Sequence, residues 1–167
     1  MSNDTQKNET LDIALMTRLG KFNYRVGAVI IDDGKILMVT SDSAEYYYSV
    51  GGRVHFGETA AEAVVREVYE ETGLHLEIDR PLFFHENYFT LQGTDTDYHE
   101  ISVYFLMKRS EELKNIRSGS TTDRGETERV EWLPIDKLSE YYVYPGFFAD
   151  ELPCLPDSLK FMLTRDI

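Results

Sequence analysis

Apolar positions along the chain recur with two periods, and the switches between them mark its elements. Leu11, Leu15 and Leu19 return every four residues ahead of Gly20, which predicts a short amphipathic helix with a glycine stop. Residues 26–31 and 35–39 are β-rich runs on either side of Asp33-Gly34, a pair that favours a type I′ hairpin turn. Residues 46–50 read as a third strand whose aromatic side chains pack across strands. A glycine-containing loop, 51–57, then leads into a helix expected over 58–72 and stopped by Gly73.

Downstream, residues 74–78 and 82–90 are strand material broken by Pro81, and a polar turn at 92–97 precedes a long strand over 100–108. Residues 110–128 are charged and rich in Ser, Thr and Gly, which predicts a long loop with a helical turn near 111–115. A short strand follows at 129–133, Pro134 is placed to open a helix, and residues 157–164 suggest a last one. No repeat or low-complexity stretch divides the chain. The expectation is a polar tail and short helix over 1–20, then one α/β domain over 21–167 with a mixed β-sheet between helices.

Composition narrows the function more than the fold. Forty-two per cent hydrophobic and 13% aromatic residues suit a globular core. The single cysteine, Cys154, excludes an internal disulfide. No apolar run approaches the roughly 20 residues needed to span a bilayer, and no signal peptide opens the chain, so a cytoplasmic protein without membrane contact is expected. Thirty acidic against 17 basic residues give a net charge of −13, which argues against nucleic acid as a partner.

Some of that acid is spaced to do chemistry. Ala61, Val64, Val65 and Val68 share the helical face expected to enter the core, while Glu67, Glu70 and Glu71, at i, i+3 and i+4, share another. Three adjacent carboxylates repel one another. A hard divalent cation such as Mg²⁺, with its preference for oxygen ligands, relieves that repulsion; a solvated helix face is the competing reading.

The neighbours of the cluster decide between these readings. Gly52, Glu58, Arg66, Glu67, Val68, Glu70, Glu71, Gly73 and Leu74 fill every specified position of a pattern that resembles the Nudix box, G-x5-E-x7-R-E-U-x-E-E-x-G-U with U a bulky aliphatic residue. Seven fixed residue types at about one in fifteen each give a chance match near 10⁻⁸ per starting point. A Glu-Trp-Leu-Pro segment, Glu131 to Pro134, and the preceding hairpin are looser resemblances to the same family.

The resemblance implies a Nudix fold and a Mg²⁺-dependent hydrolase, with Mn²⁺ as a substitute, that cleaves the diphosphate bond of a nucleoside diphosphate derivative. It implies that Glu70 and Glu71 bind metal, that Glu67 binds metal or takes the proton of the attacking water, and that Arg66 orients Glu67. Gly51 is placed to offer a backbone carbonyl to the cation, and Glu58 to cap or pair near the helix start. Glu126 or Glu128 would supply a further carboxylate from the loop. Arg25, Arg53 and His99 are candidate contacts for phosphate or sugar, with His55 and His85 behind them; Tyr88, Phe89 and Tyr104 are candidate base-stacking rings that core packing explains equally well. Two other readings stay open: a nucleotide-sensing module of the same fold without turnover, and an isomerase, for which Cys154 is poorly placed. A homodimer joined through the Leu11/Leu15/Leu19 helix is the expected form of self-association; the alternative is that this helix folds onto its own domain.

Overall fold

The computed structural model describes residues 10–42, 44–91, 93–116, 120–121 and 127–166. Five strands come first: β1 (Ala14–Thr17), β2 (Gly20–Val29), β3 (Ile31–Asp32), β4 (Lys35–Ser41) and β5 (Tyr47–Arg53). Helix α1 (Ala60–Thr72) follows, then β6 (Ile78–Thr90), β7 (Asp97–Met107), β8 (Ser120–Thr121), β9 (Thr127–Pro134) and β10 (Val143–Tyr144). The short helix α2 (Phe148–Glu151) and β11 (Lys160–Asp166) complete the order.

The strands join in the order β11-β6-β7-β2-β5-β4-β9-β8, with β1 on β2, β10 on β5 and β3 on β4. β11 on β6, β7 on β2 and β10 on β5 are parallel, while β2 with β5 and β4 with β9 are antiparallel. The sheet is therefore mixed, as expected. Asp33 and Gly34 both take positive φ, 46° and 71°, which is the type I′ geometry the pair was expected to adopt.

Both faces of the sheet are covered. Ala63, Val64 and Val68 of α1 pack on Val26, Ala28, Val50 and Val54 in one core. Phe148 of α2 and Leu138 and Leu152 from 3₁₀ turns pack on Val29, Met38, Leu82 and Phe83 in the other. Fully burying a valine or leucine contributes roughly 1.5–3 kcal/mol, so these two layers fix where α1 sits. Ala61 departs from the expected core stripe: it is exposed and Val65 half-buried, and both line an open groove of about 500 Å³ with Tyr69, His75 and Ile78.

Several expectations are corrected. The Leu11/Leu15/Leu19 segment is not a helix; its middle is β1, paired antiparallel with residues 20–23 of β2, and all three leucines are exposed. A ladder partner three to nine residues away outweighs the i+4 spacing, and the dimer contact proposed for a helix loses its element. Residues 157–164 likewise form no helix, because β11 lies along β6 from Phe83 to Phe89. Pro81 does not end the strand; register shifts on either side of it absorb the missing donor inside β6. Pro134 precedes a 3₁₀ turn, Ile135–Glu140, rather than an α-helix. The helical turn at Glu111–Asn115 forms as expected, also as 3₁₀. Among the described residues, no helix is long and apolar enough to cross a membrane.

Candidate functional site

The carboxylates owe their placement to the two ends of α1. Thr59 is the N-cap: its hydroxyl accepts from the backbone N–H of Glu62 at 3.2 Å, and the Glu62 carboxylate accepts in return from the Thr59 N–H at 2.9 Å. This capping box starts the helix two residues later than the sequence pattern placed it. Its signal, Thr59 followed three residues on by Glu62, is present in the sequence. At the other end Gly73 takes φ 75° and its N–H donates to the Tyr69 carbonyl, which closes the helix just beyond Glu70 and Glu71.

Arg66 is the hub. Its Nε and Nη2 donate to the two oxygens of Glu58 at 2.9 and 3.0 Å, its Nη1 donates to Glu67 Oε1 at 2.7 Å and to Glu70 Oε2 at 3.3 Å, and Nη2 also reaches the Arg53 carbonyl at 2.9 Å. The backbone N–H of His55 holds the same Glu58 carboxylate at 3.0 Å. The bidentate grip on Glu58 is the largest influence raising the Arg66 pKa, and it holds Glu58 below the usual carboxylate value. Glu58 therefore braces Arg66, and Arg66 aims Glu67.

Glu67 and Glu71 converge on the end of β5. The Glu67 carboxylate lies directly over Gly52, where any Cβ would collide with it. Gly51 takes φ 144°, and its N–H donates to Glu71 Oε1 at 3.2 Å. Burial raises the pKa of Glu67, opposed by Arg66 and reinforced by Glu70. Burial raises that of Glu71 well above the ordinary value, opposed by the Gly51 N–H and reinforced by Glu67 and Glu128. Glu71 Oε2 is buried with no hydrogen-bond partner. A buried, unpartnered carboxylate oxygen beside a second acid fits a hard cation.

Among the described residues, no three His, Cys, Asp or Glu side chains form a tight preformed cluster. The reason lies in the hub: Arg66 already occupies oxygens of Glu67 and Glu70, and Glu70 remains half-exposed at the rim. Glu128 approaches from β9, where it accepts a hydrogen bond from the Tyr48 hydroxyl. Glu126 lies outside the described residues.

The three candidate phosphate or sugar contacts separate. Arg25 faces the centre: burial opposes its charge, but Glu100, Tyr104, Glu71 and Glu67 outweigh that and leave its pKa raised. Arg53, opposite Arg25 in the β2–β5 ladder, is instead tied to Asp12 at 3.1 Å. His99 does not join them. It pairs with Phe22 rather than with a residue in phase with Arg25, so strand alternation puts it on the other face, stacked on Tyr88 at 4.3 Å. His55 is held by Asp12 and Glu58. His85 is a core histidine, bonded to Thr164 at 2.9 Å and lowered by burial to a pKa of about 4. Tyr104 is buried beside Arg25, and Phe89 stacks on Tyr98. Residue-by-residue reading missed Tyr48 and Glu100, whose pairings across strands leave no local signal.

The Gly52 contact gives one expected result. In Gly52→Ala the new methyl displaces the end of a flexible Glu67 side chain, not backbone, so the melting temperature should fall by only a few degrees, about 1 kcal/mol or less. Loss of the Glu67–Arg66 alignment should lower kcat at least about tenfold. Thermal melts beside steady-state kinetics check both halves; an unchanged kcat would show that Glu67 need not stand there.

Comparison with known proteins adds the context of this geometry. Residues 21–150 match the family model described as the NUDIX domain. A "MutT-like protein" of Streptomyces ambofaciens is 30% identical over 114 residues, covering 68% of this chain and 64% of that one. An "ADP-ribose pyrophosphatase" of Methanocaldococcus jannaschii is 34% identical over 85 residues, 49% of this chain and 48% of that one. The chain thus spans less than two thirds of the length of either relative. Among solved structures, a MutT NUDIX hydrolase from Burkholderia pseudomallei superposes with a TM-score of 0.59 at 25% identity, over 77% of this chain and 95% of that one.

Proposed function

Because the chain belongs to the NUDIX domain family, we propose that it is a divalent-cation-dependent hydrolase that cleaves the diphosphate bond of a nucleoside diphosphate linked to another group. The observation that carries this reading is the buried, unpartnered Glu71 oxygen beside Glu67, aimed at the end of β5. The name of the Methanocaldococcus relative, an ADP-ribose pyrophosphatase, supports the substrate class.

Glu67, Glu70, Glu71 and the Gly51 carbonyl would hold Mg²⁺ or Mn²⁺, with Glu126 a further candidate from the loop. Such a cation would supply neutralisation of phosphoryl charge and a more acidic water for in-line attack on phosphorus. Glu67 would either hold the cation or take the proton of the attacking water, and its raised pKa brings it closer to a working base than an ordinary carboxylate. Arg66 keeps Glu67 in the correct rotamer, with Glu58 behind it. Arg25 meets the phosphoryl oxygens from the β2 side, which gives a strongly acidic chain one fixed cation at the place a polyanion must approach.

The test is a substrate panel of ADP-ribose, nucleotide sugars, dinucleoside polyphosphates, nucleoside triphosphates and coenzyme A, assayed with Mg²⁺ and with Mn²⁺. Turnover of at least one diphosphate-linked nucleotide, abolished by EDTA, is expected. Tight binding of a nucleotide without any product would replace the hydrolase reading with a sensor.

The raised carboxylates also predict a pH-dependent response to cation. A group with a raised folded pKa contributes stability that is complete below its unfolded value, near 4.5, and is lost as pH rises through the folded value. Glu58, shifted the other way, contributes stability above 4.5 that is lost as pH falls. Saturating Mg²⁺ should therefore raise the melting temperature by about 5 °C at pH 8 and far less at pH 5. Differential scanning fluorimetry of wild type and Glu71→Gln checks it; an equal shift in both would place the cation elsewhere.

A further inference from the structure

Four tyrosines line up along the edge of the site. β10 runs parallel to β5 with Tyr144 in register with Tyr48. The Tyr46 and Tyr144 rings meet edge to face at 5.5 Å, Tyr142 and Tyr144 at 5.4 Å, and Tyr46 lies 6.2 Å from Tyr48. The Tyr144 hydroxyl donates to that of Tyr142 at 3.1 Å, and the Tyr142 carbonyl accepts from the Tyr47 N–H at 2.8 Å, so the strip is pinned at both backbone and side chain. Tyr47, on the alternate face, shows the ordinary fate of such a ring: it packs edge-on against Tyr141 and bonds Glu131. Tyr46, Tyr142 and Tyr144 instead remain 41%, 65% and 47% exposed.

The strip leads to the carboxylates. Tyr48 donates to Glu128, and both Tyr48 and Glu128 feel the charge of Glu71. Tyr48 is three residues from Gly51, roughly 10 Å along an extended strand. That is the reach from a diphosphate to the base of the same nucleotide. Tyr144, in register with Tyr48 and 47% exposed, stands at this distance with Tyr46 and Tyr142 packed against it, and such a ring suits a flat heteroaromatic group, because every base presents a π-face to an aromatic side chain. The rings form a small block on two neighbouring strands, β5 and β10, and its Tyr48 corner meets the carboxylates through Glu128.

We propose that Tyr46, Tyr142 and Tyr144 seat the nucleobase of the substrate by stacking. This assignment rests on the diphosphate-hydrolase reading above. It requires a base-bearing substrate and makes base-free diphosphates poor ones.

The test is calorimetric binding without metal, using ADP-ribose, GDP-mannose and, as the base-free probe, geranyl diphosphate. Wild type is compared with Tyr142→Ala, Tyr144→Ala and Tyr144→Phe, each first checked by thermal melting. Stacking predicts that each alanine variant weakens both nucleotides about tenfold and leaves geranyl diphosphate within about twofold, while the phenylalanine variant keeps wild-type affinity. The Tyr142→Ala arm, at the most exposed ring, decides the matter if Tyr144→Ala does not fold. Unchanged nucleotide affinity in a folded alanine variant overturns the platform while hydrolysis by wild type leaves the proposed reaction standing. Wild type that neither binds nor cleaves any nucleotide overturns both.

Discussion

Glu71→Gln should leave a folded protein whose turnover falls by roughly a thousandfold or more on every substrate the wild type accepts. The amide keeps the size of the side chain and can still accept from the Gly51 N–H, so the local geometry persists. What disappears is the charge on the one carboxylate among the described residues whose second oxygen is buried without a partner. Since burial makes that charge unfavourable in the cation-free protein, the variant should melt no lower than wild type at neutral pH. Steady-state kinetics with Mg²⁺ beside a thermal melt is the measurement. Near-normal turnover in the folded variant would sink the assignment of Glu71 to cation binding.

Arg66→Ala should damage both activity and stability. The guanidinium joins Glu58, Glu67, Glu70 and the Arg53 carbonyl, and without it three carboxylates lose their only shared counter-charge among the described contacts. Breaking a largely buried pair by removing one partner costs about 3–5 kcal/mol; the side chain is 22% exposed, so roughly 2–3 kcal/mol is the expectation, a drop near 8 °C in melting temperature. The loss should shrink as pH falls below 4.5 and through the depressed Glu58 value, where Glu58 takes up a proton and no longer needs Arg66. Turnover should fall at least about a hundredfold because Glu67 is no longer aimed. Arg66→Lys should recover little of it, since an ammonium cannot grip Glu58 with two parallel bonds and still reach Glu67. Melts at pH 4 and pH 8 with parallel kinetics check the pair; a lysine variant as active as wild type would show that charge alone suffices.

The legible parts of this protein are those whose causes are local. Asp33-Gly34 needs only its own two positive φ values to make a turn, and Gly73 only its own left-handed geometry to stop α1. The Glu67/Glu70/Glu71 spacing is likewise internal to one helix, and Thr59 with Glu62 was a readable signal that the hydrophobic pattern overshadowed. The failures are long-range. β1 and β11 are edge strands made strands by a neighbour, β2 in one case and β6 in the other, and nothing within either segment names that neighbour. The same reason hid the fate of His99 and Arg53. An isolated cation or ring looks equally fit for substrate, and only register decides which face it takes and whether Asp12 has claimed it. Tyr48 and Glu128 belong to strands that meet through β4, so their contact has no trace in local spacing.

The segment that was expected to be a helix carries one more consequence. Ile13 donates to the Val54 carbonyl at 2.8 Å, Phe56 donates to the Leu11 carbonyl at 2.7 Å, and Asp12 grips Arg53 and His55. Leu11, Asp12 and Ile13 precede the matched family region, yet they strap down the loop that carries Arg53, His55 and Glu58 toward α1. A loop held at its middle as well as its ends has fewer conformations to lose when substrate arrives. The strap contributes no reacting group; under the proposed hydrolase reading it would supply preorganisation, so that part of the positioning of Glu67 would be set by residues outside the motif.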